Sequence, residues 1–313
     1  MVAIADRFKG YISEGDIWIL AIRRRGEKLL FEGNNTPFSL IPNTFLYWMA
    51  DPFLFEYQGQ HYLFAEMFNR ILGRGCIGVA TIVDGNCSSF KPCLQLDCHL
   101  SYPCVFERKG IIYMLPEIAA SGKVMLYKAT AFPYEWKVDR QLCDVSGVDS
   151  TPLPVQLSIE LQAISTLHVG KAKKNDNLYL LKANGEKPVQ VLVNNRCSRP
   201  AGHFIVKDGR IIRPVQDCFE YYGKHLIFKE VTSTSLINWH EKSIYCATFP
   251  RDTSIRDNGE PINLATAGRQ KFRGIHTYNL DSEYEVIDLQ FNAGNTWQYF
   301  ARKLLKRVKR LYW

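Results

Sequence analysis

A seventeen-residue phrase occurs twice in this chain. Residues 50–66 read ADPFLFEYQGQHYLFAE and residues 101–117 read SYPCVFERKGIIYMLPE, so Pro52, Phe55, Glu56, Gly59, Tyr62 and Glu66 recur as Pro103, Phe106, Glu107, Gly110, Tyr113 and Glu117, 51 residues later. A fixed period of about 50 residues marks a repeat architecture and suits a four-stranded propeller blade better than the shorter helical repeats. Within each copy an apolar run, a Gly-containing turn and a second β-rich run predict an antiparallel hairpin. The start of the first strand then lies beside the end of the second. Asp51 and Glu66 are therefore predicted to emerge at one edge of a blade, and Tyr102 and Glu117 at the same edge of the next.

Fainter copies continue along the chain. Asp149-Ser150-Thr151-Pro152 opens a third unit, Arg199-Pro200 a fourth, and Gly274-Ile275-His276-Thr277-Tyr278 a fifth after an insertion. The expected fold is all-β: a five-bladed β-propeller over residues 1–294, followed by an amphipathic helix over residues 295–313. Closed all-β folds of this size form one domain. No run approaches the roughly 18 apolar residues of a membrane span, and the N-terminal MVAIADRFKG lacks a secretory signal pattern, so a cytoplasmic location is expected.

Nine cysteines, an odd number at irregular spacing with no C-x-x-C pair, do not make a disulfide framework. Cys93, Cys98 and His99 are the nearest approach to a ligand cluster, but a structural zinc site wants four well-spaced ligands. Buried, inert thiols are the expectation.

The net charge of +8 is concentrated at one place. Arg302, Lys303, Lys306, Arg307, Lys309 and Arg310 stand in the C-terminal stretch TWQYFARKLLKRVKRLYW, which holds no acid. Trp297, Phe300, Ala301, Leu304, Leu305, Val308 and Leu311 recur there at helical spacing and form an apolar stripe. Such a helix, ending in Tyr312 and Trp313, suits the headgroup layer of an anionic membrane, and a peripheral position at the inner membrane face is expected. Docking onto the protein's own body is the competing expectation. Nucleic acid is not expected as a partner, because the remaining residues carry little excess charge and no recognition motif.

If every unit begins near a common axis, Asp51, Tyr102, Asp149, Arg199 and His276 converge there, joined by Glu66, Glu117, Gln216 and Asp217 from strand ends. Radial folds leave a central depression to which separate blades each contribute a group. A ring of acids facing one arginine and a histidine suits sugars, since carboxylates exchange protons while Arg and His bind hydroxyls or phosphates. No G-x-S-x-G elbow or phosphate-cradling glycine loop suggests other chemistry.

ADPFLFE, HLSYPCVFE, IYMLPE, FPYEW, SRPAG and RPVQDCFEYYG resemble the motif series of the β-propeller family found as the N-terminal part of plant glucosamine inositolphosphorylceramide transferases, whose standalone bacterial members tend to accompany surface-polysaccharide biosynthesis. A more distant similarity is to five-bladed propeller glycoside hydrolases of the family-43 type. That similarity implies a general-base Asp at Asp51, a pKa-tuning Asp at Asp149 and an axial His at His276. No acid opens the fourth unit, where Arg199 stands, so the acid's role would pass to Glu117 or Glu66.

The expected catalytic residues are Asp51, Glu117 and Asp149, with Glu66, Tyr102, Arg199, His203, Asp217 and His276 binding substrate, Arg199 and His203 on a donor's phosphates. The expected ligand is a sugar or a nucleotide sugar, with no further cofactor. An axial metal ion and the oligomeric state are left open. Three functions stand: a glycosyltransferase moving a sugar from a nucleotide sugar to a lipid-linked glycan at the cytosolic membrane face, a glycoside hydrolase with an altered acid, or a non-catalytic sugar-binding scaffold.

Overall fold

The computed structural model describes residues 16–311 apart from 119–120, 168–176, 183–184, 194–197, 234–235, 237, 248–254, 263–270 and 293–295, with helix side chains described as far as Leu305. Among the described residues the strands form five antiparallel or mostly antiparallel sheets in a propeller-like, all-β arrangement. Four sheets follow one another along the chain, over residues 47–94, 101–143, 147–193 and 205–247, and are referred to as blades one to four.

The doubled phrase is a pair of hairpins. In blade one Phe53 pairs with Phe64 and Tyr57 with Gln60; in blade two Cys104 pairs with Leu115 and Arg108 with Ile111. Their turns are Gln58-Gly59 and Lys109-Gly110, with φ of 52°, 74°, 54° and 75°. Two successive left-handed residues match a tight turn to the right-handed twist of the strands, which is why glycine recurs at its second position.

The remaining sheet has seven strands and is built from both halves of the sequence. Strand Asp16–Arg24 pairs with Tyr284–Asn292 from Asp16↔Asn292 to Arg24↔Tyr284. Phe38–Ile41 extends it on one side, while Lys271–Gly274 and Tyr278–Leu280 pair with Tyr284–Asn292. The segment expected to open a fifth unit, Gly274-Ile275-His276-Thr277-Tyr278, leads into this sheet, which also takes in strands from residues 16–41. The hairpin Ile255–Asp257 with Glu260–Ile262, part of the insertion expected after the fourth unit, joins the same sheet through parallel pairing with Phe38–Ile41.

Apolar side chains fill the spaces between neighbouring sheets. Phe53 and Phe64 of blade one pack with Tyr102, Met114 and Leu126 of blade two, all buried, and each such side chain contributes roughly 1.5–3 kcal/mol by leaving water. One buried cluster of the seven-stranded sheet is ionic. Arg23 is ion-paired to Glu285, which also accepts from Tyr278 Oη at 2.7 Å, while Arg23 donates to the carbonyls of Asn34 and Thr36. A buried ion pair needs such extra bonds to offset its desolvation.

The C-terminal helix spans Trp297–Leu311. Thr296 precedes it, its hydroxyl accepting from the N–H of Tyr299 at 3.3 Å. No helix among the described residues is long and apolar enough to cross a membrane. Trp313 lies outside the described residues, as do the side chains of Lys306, Arg307, Lys309 and Arg310.

Candidate active site

The first strands of blades one, two and three break their pairing at the same repeat position, between Ala50 and Phe53, Ser101 and Cys104, and Val148 and Thr151. At each break stands a residue with positive φ: Asp51 at 51°, Tyr102 at 47° and Asp149 at 52°. Bulges of this kind re-aim a side chain out of the sheet, and left-handed backbone at a residue other than glycine is strained. The repeat thus builds three equivalent strained corners and fills two with acids.

Asp51 is held by three neighbouring elements. One carboxylate oxygen accepts from the backbone N–H of Tyr102 at 3.1 Å, the other from Thr277 Oγ1 at 3.0 Å, and His276 Nε2 lies 3.5 Å away. His276 is oriented by Asp288, whose Oδ2 is 2.6 Å from Nδ1 and whose Oδ1 accepts from the N–H groups of His276 and Thr277. Trp18 stacks on the imidazole at 3.7 Å. Burial raises the pKa of Asp51 to about 6, with His276 pulling against it. Burial also works against charge on His276, but Asp288 and Asp51 outweigh it and raise the imidazole's pKa.

Asp149 and Arg199 form a second buried group. Arg199 Nε is ion-paired with Asp149, and the guanidinium lies 3.8 Å from Glu117 Oε2 and 4.6 Å over the ring of Tyr222. Gln216 Nε2 donates to Asp149 at 2.7 Å. Burial and the adjacent Asp149 charge raise Glu117 to about 8, against the pull of Arg199. Asp149 Oδ1 and Glu117 Oε2 have no hydrogen-bond donor of their own among the described residues. A proton on Glu117 shared with the Asp149 carboxylate supplies one.

Glu66 faces the same acids, and burial with the charges of Asp51 and Glu117 raises it well above the carboxylate range. His99 Nε2 is 3.5 Å from its Oε1. The N–H of Gly75 donates to His99 Nδ1 at 2.8 Å, which leaves the imidazole proton on Nε2, toward Glu66. His99 is thus committed to Glu66 and not to Cys93 and Cys98, whose thiols are free.

Asp51, Asp149, Glu66, Glu117, Arg199 and His276 are therefore brought together, and three expected residues are not placed as the repeat suggested. Tyr102 occupies its repeat position but is fully buried: its hydroxyl lies 2.8 Å from Thr151 Oγ1 and accepts from the N–H of Gly202 at 2.8 Å, so it ties blades together instead of lining a mouth. Asp217 is buried but its carboxylate accepts from the N–H of Phe219 at 3.1 Å, and the alternation of strand Arg210–Asp217 brings its neighbour Gln216 to Asp149 instead. His203 has its contacts on Phe53 and Cys104 and not among the groups around Arg199. It packs edge-on against Phe53, Nδ1 is 3.6 Å from Cys104 Sγ, burial lowers its pKa to about 4, and it lines a cavity of about 460 Å³ with Glu56, Glu107, Arg108 and Asp281. Glu56 pairs with His61 beside the hairpin turn, so this cavity lies at the opposite end of blade one from Asp51. None of the axial acids lines it.

Asp288, Thr277 and Trp18 join the site without having been expected, whereas Gln216 was expected there and reaches Asp149. Asp288 left one signal, an acid within the otherwise apolar run VIDLQF of a strand. Asp51, His276 and Asp288 present ligand atoms within 4.8 Å of one another, a set able to gather a cation, although the same atoms are also satisfied by bonding among themselves.

The architecture is shared with sugar-cleaving enzymes. The catalytic domain of an alpha-L-arabinofuranosidase from Coprinopsis cinerea superposes with a TM-score of 0.53 over 89% of this chain and 98% of its own, at 11% identity. A hydrolase solved with xylotriose gives 0.52 over 90% and 98%, also at 11%. At that identity the likeness concerns the fold. In sequence, glucosamine inositolphosphorylceramide transferase 1 of Arabidopsis thaliana is 32% identical over 255 residues, covering 77% of this chain and 31% of that protein. Its counterpart in Oryza sativa subsp. indica is 27% identical over 250 residues, covering 75% and 31%. The chain thus spans about a third of the length of the curated relatives it matches. Over residues 39–254, with the repeats that carry Asp51, Glu66, Glu117, Asp149 and Arg199 inside that span, the chain belongs to the family described as glucosamine inositolphosphorylceramide transferase 1, N-terminal.

Proposed function

We propose that the seven-stranded sheet is the fifth blade of a carbohydrate-active propeller, and that the axial carboxylates are its reaction centre for glycosyl transfer in polysaccharide biosynthesis. The observation that carries this is the contrast between Glu117, held protonated beside Asp149, and Asp51, poised near neutrality between a histidine and two donors. Two carboxyl groups whose environments push their pKa values apart are what acid and base roles require. Asp51 takes the proton of the acceptor hydroxyl as its oxygen bonds to the anomeric carbon. Glu117 donates to the departing oxygen as the old bond breaks, and the surrounding acids favour the positive charge that develops on the sugar ring. Asp149 fixes Arg199 and, by its charge, keeps the proton on Glu117.

The relatives' name supports sugar transfer; the donor in this reading is a nucleotide sugar and the acceptor a lipid-linked glycan at the cytoplasmic membrane face. The departing oxygen of such a donor belongs to its phosphate, so in this reading that phosphate stands beside Glu117, within reach of the Arg199 guanidinium 3.8 Å from it. Hydrolysis is the second reading, favoured by the proton on Glu117, which suits a glycosidic leaving oxygen as well. A thermal-shift screen of the full chain against nucleotide sugars and free sugars tests the assignment, because ligand binding raises apparent stability. Stabilisation by a nucleotide sugar, lost in Asp51→Asn, supports transfer. Stabilisation by free oligosaccharides alone, with their cleavage in water, supports hydrolysis, and no response to either class removes the sugar reading.

A further inference from the structure

The C-terminal helix rests on the body by its polar side. Gln298, buried, donates to the carbonyl of Phe45 at 2.9 Å. Arg302, one turn on, reaches across Phe68 at 5.9 Å and crosses Gly73, where an added Cβ would lie 2.8 Å from its Cδ. Residues on the other side of the helix are left in solvent: Trp297 is 67% exposed, Phe300 53% and Leu304 64%. This is the apolar stripe visible in the sequence, and docking on the body does not consume it. An exposed stripe of this kind is not the ordinary state of a helix lying on its own domain, which turns its apolar side inward.

The body extends the stripe. Phe45 is 63% exposed and its ring centroid is 6.0 Å from that of Trp297, while Leu72, 55% exposed, stands in the turn that Arg302 crosses. Contiguous exposed apolar surface bordered by polar residues marks an interaction site. The sequence of the helix is basic: it holds Arg302, Lys303, Lys306, Arg307, Lys309 and Arg310 and no acid.

We infer that the helix face of Trp297, Phe300 and Leu304, together with Phe45 and Leu72, is a docking surface for an anionic lipid bilayer, with the helix lying in the headgroup layer. Charge complementarity commits the surface to this occupant, since apolar burial and attraction to anionic lipid act on the same fifteen-residue element. The surface also has a direction. Phe45 and Leu72 flank the paired residues Tyr47 and Asn69, which open and close the first hairpin of blade one. Asp51 lies only four residues along that strand from Tyr47, about 13 Å at the rise of a β-strand, and Glu66 pairs with Ala50 beside it. The docking surface thus lies at the Tyr47 end of the strand that carries Asp51, and the His203 cavity toward its hairpin-turn end. Docking itself stands on exposure and charge; only the identification of a lipid-linked acceptor rests on the sugar-transfer reading.

The test is co-sedimentation of the full chain with vesicles of phosphatidylcholine, with and without phosphatidylglycerol. The expected result is binding to the anionic vesicles that falls as salt rises, and weak binding to neutral ones. Trp297→Ala, Phe300→Ala and Leu304→Ala combined should lower the partition coefficient about tenfold or more, with an unchanged melting temperature because these side chains touch little of the body. Phe45→Ser should weaken binding without altering the helix. Equal partition of wild type and triple variant overturns the inference, as does equal binding to neutral vesicles. A lipid-free dimer that the triple variant splits, measured by sedimentation velocity, also overturns it by assigning the stripe to a second copy. No sugar enters these measurements, so their outcome is separate from that of the thermal-shift screen.

Discussion

The backbone N–H of Tyr102 donates to the carboxylate of Asp51 at 3.1 Å, so the corner of blade two holds the acid of blade one. In an Asn the amide oxygen can still accept from the Tyr102 N–H while the NH2 group donates to the Thr277 hydroxyl, which can accept as well as donate, and Asn tolerates the left-handed backbone of this position. Asp51→Asn is therefore expected to fold while removing the base, with a rate loss on the order of 10²–10⁴-fold. Circular dichroism and turnover of sugar substrate check the two halves; a variant that folds and retains wild-type turnover removes Asp51 from the chemistry.

Glu117 makes stability depend on pH in a stated direction. Its pKa rises from 4.5 to about 8 on folding, so between those values the native state keeps a proton that the unfolded chain releases, and stability falls as pH rises through that window. Asp51, raised from 3.8 to about 6, adds to the slope at its acidic end. Urea denaturation from pH 5 to 8 should show declining stability in the wild type and a flatter profile in Glu117→Gln. A profile that rises over the same interval contradicts a buried, protonated Glu117.

Removing Arg199 strands its partner. Arg199→Met leaves Asp149 buried with Gln216 and Glu117 but without its cation, and breaking one side of a buried pair costs about 3–5 kcal/mol. Adding Asp149→Asn should recover part of that loss, and a double-mutant cycle measures how much. Strict additivity of the two changes would mean that the pair is not coupled.

Tyr102→Phe tests the tie between blades. The hydroxyl serves Thr151 and the N–H of Gly202, and the variant leaves that buried N–H without its acceptor, at a cost of about 1–3 kcal/mol. Equilibrium unfolding gives the number; a loss near zero would show that another acceptor takes over.

The hairpins of blades one and two were legible because their alternation, glycine turns and period all specify the same local structure. The recurrence of Asp51, Tyr102 and Asp149 at one bulge position was legible for the same reason. What the repeat does not encode is the direction of a side chain once the bulge has turned it: Tyr102 runs into the interior, whereas Asp51 and Asp149 meet partners from other blades. Asp217 and Gln216 show the limit of spacing arguments, since one residue of strand alternation decides which of them reaches Asp149. Asp288 and Trp18 were hidden because they belong to the seven-stranded sheet, whose members are distant in sequence and share no repeat. The helix stripe was plain in the sequence, but which side the body covers depends on Gln298 and Arg302, and on a glycine at 73.

The nine-residue pairing of Asp16–Arg24 with Tyr284–Asn292 carries a consequence for biosynthesis. Trp18 and Asp288 come from the two strands that this pairing joins, His276 stands shortly before the second of them and bonds Asp288, and together they fix the environment of Asp51. During translation, four sheets can form while the first strand waits for its partner, and the acids of blades one to three remain without their histidine. Completion of the acid cluster is thus a timed event, withheld from the nascent polypeptide until residue 292 has been made.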